Sequence, residues 1–262
     1  GRPVRPARER QGRDAVEIRI HPDAATLGAD AARRIVAAIR RDPEAVIGLA
    51  TGSSPVCVYD AWGRQAAESR LDQSRVRGFA LDEYVGLDPA HPQSYHSVIR
   101  RDAVARTGLD PELVCVPEGH GDTDAAAARY ERAIREAGGV DVQILGIGRN
   151  GHLGFNEPGS PAHSRTRVVP LAAETIADNA RFFGDAAHVP DESITQGLGT
   201  IFEARELVVV AIGEAKAEAV AAAIEGPETE QLPASLLRNH GNVHWFLDEA
   251  AASHLTSRLA PR

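Results

Sequence analysis

The sequence predicts an α/β fold, a three-layer α/β/α sandwich built on a mostly parallel, Rossmann-like sheet. Two observations predict it. Short apolar or β-branched runs (residues 45–50, 76–81, 142–147 and 207–212) alternate with segments of helical apolar spacing. Each run also breaks into a polar or glycine-rich stretch, as strands do at the carboxyl edge of an open sheet.

Taken in order, residues 1–14 are rich in Arg, Pro and Gly without apolar period and read as a flexible tail; no initiating methionine precedes them, which suggests processing. Residues 16–20 suit a first strand, and 24–41 a helix capped by Asp23. Strand 45–50 empties into Thr51-Gly52-Ser53-Ser54-Pro55, with Pro55 placed for the first turn of a helix reaching about Ser69. Strand 76–81 delivers Asp82-Glu83-Tyr84-Val85-Gly86-Leu87 into a loop holding Pro89 and Pro92. A helix over 94–106 and a short strand over 113–116 follow. Helix 122–137 has an acidic first turn that suits the helix dipole. Residues 142–147 form a buried parallel strand. Beyond it come a helix at 171–183, a short helix within 193–204, strand 207–212 and a helix at 214–225. A helical turn at 232–238, strand 242–247 and a closing helix at 248–259 complete the chain. Without repeat or linker, residues 15–262 read as one domain.

Composition narrows the function. The 262 residues carry a formal net charge of -8, which disfavours a nucleic acid or an acidic membrane as partner and leaves room for a small anionic substrate. No apolar run nears the ~20 residues that span a bilayer, and no signal-peptide pattern is present. Cys57 and Cys115 lie in apolar segments and read as unpaired core residues, so a cytoplasmic protein is expected.

The chain is organised around residues 141–158, DVQILGIGRNGHLGFNEP, a strand opening into a glycine-rich loop with a histidine and a carboxylate. Such a loop is where an open α/β sheet keeps its active site, although polar loops without chemistry are common. Parallel strands bring their outlets to one edge. The second strand offers Thr51, Gly52, Ser53 and Ser54 at a helix N-terminus, which suits one monophosphate; an ordinary N-cap serine explains the same residues equally well. No Walker pattern is present. Lys216 is the single lysine among 29 basic residues and opens the helix after strand 207–212, where it can balance a phosphate. Asp82 could serve as a general base if desolvated, or merely close an Asx turn. His152 and Glu157 suit an imidazole whose tautomer is set by a carboxylate. Their spacing matches no metal pattern, so no metal is expected.

The segments ATGSSP, LDEYVGL, GIGRNGHLGFNEPGS, SRTR, ARFFG and GEAKAEAV, in that order over roughly residues 16–255, resemble the glucosamine-6-phosphate deaminase family. The resemblance implies aldose–ketose isomerisation with loss of ammonia, giving fructose 6-phosphate, and no organic cofactor. It implies that Asp82 moves the proton between C2 and C1, that His152 opens the pyranose ring and that Glu157 orients it. Thr51, Gly52, Ser53, Ser54, Arg181 and Lys216 would hold the phosphate, and the position of 172–183 fits a lid.

Three departures stand out. Asn150 replaces an aspartate beside the histidine. It could still hydrogen-bond His152, and a less basic His152 is expected. Val169 stands where a lysine of an allosteric site is expected, while Arg167 is kept. The chain ends at Arg262, short of a longer C-terminal segment. Weak or absent allostery and a monomer or small homo-oligomer are therefore expected. Three rival readings stand beside this one: the galacto-epimer as substrate, a 6-phosphogluconolactonase, and a non-catalytic sugar-phosphate sensor.

Overall fold

The structure, a computed structural model, describes residues 16–256; the expected tail at 1–14 lies outside them. In chain order the elements are β1 (Glu17–His21), α1 (Ala24–Arg41), β2 (Val46–Leu49), α2 (Val56–Glu68), β3 (Arg77–Ala80), β4 (Asp82–Tyr84), α3 (Tyr95–Ile99) and α4 (Ala105–Thr107). Then come β5 (Val114–Cys115), α5 (Thr123–Glu136), β6 (Val142–Gly146), β7 (Arg167–Pro170), α6 (Ala173–Phe183), β8 (Glu192–Thr195), α7 (Leu198–Phe202), β9 (Leu207–Ala211), α8 (Ala217–Glu225) and β10 (Val243–Asp248).

Seven strands form one parallel sheet in the order β1-β10-β9-β6-β2-β3-β5. After β5 the chain returns to the middle and lays β6 beside β2, so the order reverses there. Crevices at such reversals are where open sheets bind ligands. The β2–β6 ladder is short, pairing only Ile47 with Val142 and Gly48 with Gln143. The buried strands read as continuous apolar runs because helices flank the sheet. Asp23 caps α1 as expected, its carboxylate accepting from Thr26 N–H at 2.8 Å.

Four expectations are corrected. Asp82 to Tyr84 is a strand, not the start of a loop; it joins a second, antiparallel sheet ordered β4-β8-β7. Strands of three or four residues show no period, and their partners lie far along the chain. The expected helix at 94–106 is interrupted by a π-helical stretch, Arg100–Val104. The closing helix at 248–259 is absent over its described part. Asp248 there ends β10 and its carboxylate accepts from Gly213 N–H (3.0 Å) and Ala251 N–H (2.7 Å), which holds the chain in turns; residues 257–259 lie outside the described part. Cys115 is exposed on the edge strand β5 and Cys57 is half-buried, and both are free thiols. Among the described residues no helix is long and apolar enough to cross a membrane.

Candidate active site

Four adjacent strands, β9, β6, β2 and β3, open onto the same edge. At the end of β2, the buried Tyr59 hydroxyl accepts from Ala50 N–H (2.9 Å) and donates to Ala50 C=O (2.7 Å). This fixes the start of the Thr51–Ser54 turn, which swings round on Gly52 at φ 99°, a left-handed value that costs glycine little. At the end of β9, Gly213 turns at φ 92° under the Asp248 carboxylate and presents Lys216.

β3 is pinned at its end by two donors to the Ala80 carbonyl, Tyr130 Oη at 2.7 Å and Gln196 Nε2 at 2.9 Å. The next side chain but one is Asp82, 4% exposed. Burial, and after it the charge of Glu83, holds its carboxyl well above the usual range. Glu83 is also buried and goes the other way. Burial pushes its pKa up, but His96 Nδ1 (2.8 Å), Tyr95 N–H (2.9 Å), Ser94 Oγ (2.7 Å) and His96 N–H (3.1 Å) outweigh that and hold it down. Two neighbouring carboxylates are thus driven apart: one caps α3, the other is left desolvated and chemically available.

β6 opens into the loop 147–157. His152 packs flat against Gly148, where any Cβ would meet the imidazole Cε1 at 2.3 Å. Behind the ring, Nδ1 lies 3.4 Å from Glu157 Oε2, an ion-pair distance longer than a good hydrogen bond. Glu157 accepts from Thr175 Oγ1 (2.5 Å) and Asn150 Nδ2 (2.9 Å). Burial raises the Glu157 pKa, but the His152, Thr175 and Asn150 contacts prevail and bring it to about 2. Asn150 reaches His152 through the main chain, its Oδ1 accepting from His152 N–H at 3.1 Å.

These outlets enclose a cavity of about 470 Å³, within the roughly 300–1,000 Å³ usual for small-ligand sites. Thr51, Gly52, Ser53, Ser54, Asp82, His152, Arg181 and Lys216 all line it. Asn150 and Glu157 do not; they stand behind the imidazole and position it. One wall is aromatic: the Tyr84 ring lies 4.9 Å from Tyr95 and 5.5 Å from Phe155 between centroids. Helix α6 borders the cavity next to this wall, packing Ile176, Ala180 and Phe183 on the cluster of Tyr84, Phe155 and Val169. Burial lowers the Lys216 pKa, and Arg149 and Arg181 add to this, while Asp178 opposes. Arg149, Arg181 and Lys216 all line the cavity, and with Arg149 paired to Asp178 the other two are left for a bound dianion.

Sequence reasoning missed Thr175, Tyr84, Tyr95, Phe155, Arg149 and Asp178. Thr175 and Asp178 lie on a helix whose facing is set only by packing. Arg149 pairs with Asp178, across 29 positions. The kept Arg167 donates to Asn156 Oδ1 at 2.9 Å, and Val169 is core.

Residues 22–245 match the family model for glucosamine-6-phosphate isomerases/6-phosphogluconolactonase. The glucosamine-6-phosphate deaminase of Arthrobacter sp. strain FB24 is 52% identical over 246 residues, 94% of either chain. A solved monomeric glucosamine-6-phosphate deaminase superposes with TM-score 0.88 at 37% identity, covering 91% of this chain and all of its own. The 6-phosphogluconolactonase of Trypanosoma cruzi shares the fold, with TM-score 0.73 at 22% identity over 93% of this chain and 98% of its own. The chain belongs to the glucosamine-6-phosphate isomerase/6-phosphogluconolactonase family.

Proposed function

We propose that the protein converts glucosamine 6-phosphate and water to fructose 6-phosphate and ammonium. The observation that carries this reading is a single cavity in which an anion cradle, a desolvated carboxylate and a carboxylate-backed imidazole meet. The phosphate sits against the Thr51–Ser54 amides and hydroxyls with Arg181 and Lys216, which fixes the remote end of the sugar. His152 moves the proton that opens the pyranose ring, backed by Glu157 and Asn150. Asp82 takes the C2 proton of the open aldehyde and returns it to C1. The nitrogen is then an imine at C2, water adds there, and the C–N bond breaks with ammonia as leaving group. Hydrolysis of a lactone has no such use for a buried base at Asp82.

The reading extends to assembly and place. The solved structure at 37% identity is of a monomeric enzyme, and Val169 is packed in an apolar cluster. Both support a monomer or small homo-oligomer without activation by an acetylated sugar phosphate; light scattering and rate curves with and without N-acetylglucosamine 6-phosphate test this. The free thiols of Cys57 and Cys115 suit a reducing cytoplasm.

The deciding experiment is ammonium release from glucosamine 6-phosphate, with Asp82→Asn as control. Release by the wild type and its loss in the variant supports the reading. No release, with sugar-phosphate binding intact, overturns it.

A further inference from the structure

A second cavity, about 210 Å³, adjoins the first. It shares Arg149, His152, Thr175 and Asp178 with the larger cavity and adds Asn150 and Glu174. One end is therefore the same imidazole that faces the sugar cavity. Glu174 and Arg149 in the same lining are exposed, so the cavity meets solvent beside them. Arg149 is paired with Asp178, which among the described residues leaves Glu174 as the unpaired carboxylate of the lining. The larger cavity, by contrast, has Arg181 and Lys216 in its lining, neither of which lines the smaller one.

The proposed reaction exchanges two small species besides the sugar. A sugar phosphate held in the cradle occupies the larger cavity between the Thr51–Ser54 turn, Asp82 and His152. Water must still arrive at C2, and a nitrogen must leave as the C–N bond breaks. Ammonia leaving at neutral pH takes a proton and becomes a cation. Arg149 and its partner Asp178 line both cavities, so the difference lies in the rest of each lining: an exit past Arg181 and Lys216 opposes that charge, whereas an exit past Glu174 favours it.

We propose that this side cavity is the port through which water enters and ammonium leaves while the sugar phosphate occupies the main cavity. In the forward direction, water supplies the oxygen that becomes the C2 carbonyl. The nitrogen leaves C2 with the electron pair of the broken bond, picks up a proton at the His152 end and passes out beside Glu174. In reverse, ammonium enters by the same path. The inference rests on the function proposed above.

The test uses the full chain with Glu174→Gln and Glu174→Lys, at a residue outside the larger cavity. The reaction is run backward from fructose 6-phosphate and ammonium chloride, and forward with ammonium as product inhibitor. The expected result is a rise in the ammonium KM and inhibition constant of about threefold for Glu174→Gln and about tenfold for Glu174→Lys, the order expected of one nearby charge. The KM values for both sugar phosphates stay within about twofold, and the ammonium effect shrinks at ~0.5 M salt as screening demands. Ammonium constants unchanged in both variants, with activity intact, overturn the port alone. A wild type that neither releases nor consumes ammonium overturns the functional reading, and the port with it; a variant that fails to fold is recognised by its circular dichroism, and the milder Glu174→Gln then decides.

Discussion

Asn150 donates its amide to Glu157 Oε2 at 2.9 Å and accepts from the main-chain N–H of His152 at 3.1 Å, so it serves the carboxylate behind the imidazole and not the ring itself. An aspartate at this position would set a second carboxylate against Glu157. Asn150→Asp is therefore expected to lift the Glu157 carboxyl well above about 2. A carboxyl held low in the fold contributes stability above its unfolded pKa and loses it as pH falls through the folded one. In the wild type that loss falls between about 4.5 and about 2; in the variant it moves to higher pH. Carboxyl NMR titration with acid melting checks both, and a Glu157 titration unmoved by Asn150→Asp refutes the arrangement.

Asp82 carries the opposite sign. Burial holds its carboxyl well above the usual range, so it favours the folded state at low pH and loses that contribution as pH rises through its folded value. Asp82→Asn is expected to melt at a higher temperature than the wild type near pH 8, with the gap closing towards pH 4. The same variant should lose roughly 10²–10⁴-fold in kcat, the range for a general base, while still binding substrate. Melting curves across pH, set beside kcat, decide it.

Gly148 leaves room for the His152 ring, since a Cβ there would stand 2.3 Å from Cε1. Gly148→Ala should displace the imidazole and cost on the order of 10²-fold in kcat, as an ~1 Å misplacement does. The KM should change little, because the phosphate cradle lies on other strands. A kinetic comparison with the wild type is sufficient, and an unaltered kcat contradicts the packing.

Lys216 sits half-buried among like charges at the phosphate end. Lys216→Met should raise the sugar-phosphate KM by about 10–100-fold, the cost of one charge-assisted contact. It should also weaken inhibition by inorganic phosphate to a similar degree. Lys216→Arg should restore only part of this, because a planar fork does not replace a compact ammonium. Inhibition constants for phosphate give the readout.

The sequence by itself determined the parallel sheet, most helices and the four outlets that carry Thr51, Asp82, His152 and Lys216. Those properties are local: apolar runs of four or five residues, an N-cap at Asp23, and glycines where strands end. It also placed the strand that organises the chain, because β6 is apolar apart from Gln143 and its loop is unusually rich in glycine and polar groups. The small sheet of β4, β7 and β8 was not legible, since its strands of three or four residues pair across as many as 113 positions. Neither were the partners of the site residues. Thr175 meets Glu157 from 18 positions away, and Asn179 donates to the Tyr84 hydroxyl from 95 away, because packing turns one face of α6 towards the cavity. The opposite charge preferences of the adjacent Asp82 and Glu83 likewise belong to tertiary structure alone: identical chemistry in neighbouring positions is separated only by which of the two finds hydrogen-bond donors once both are buried.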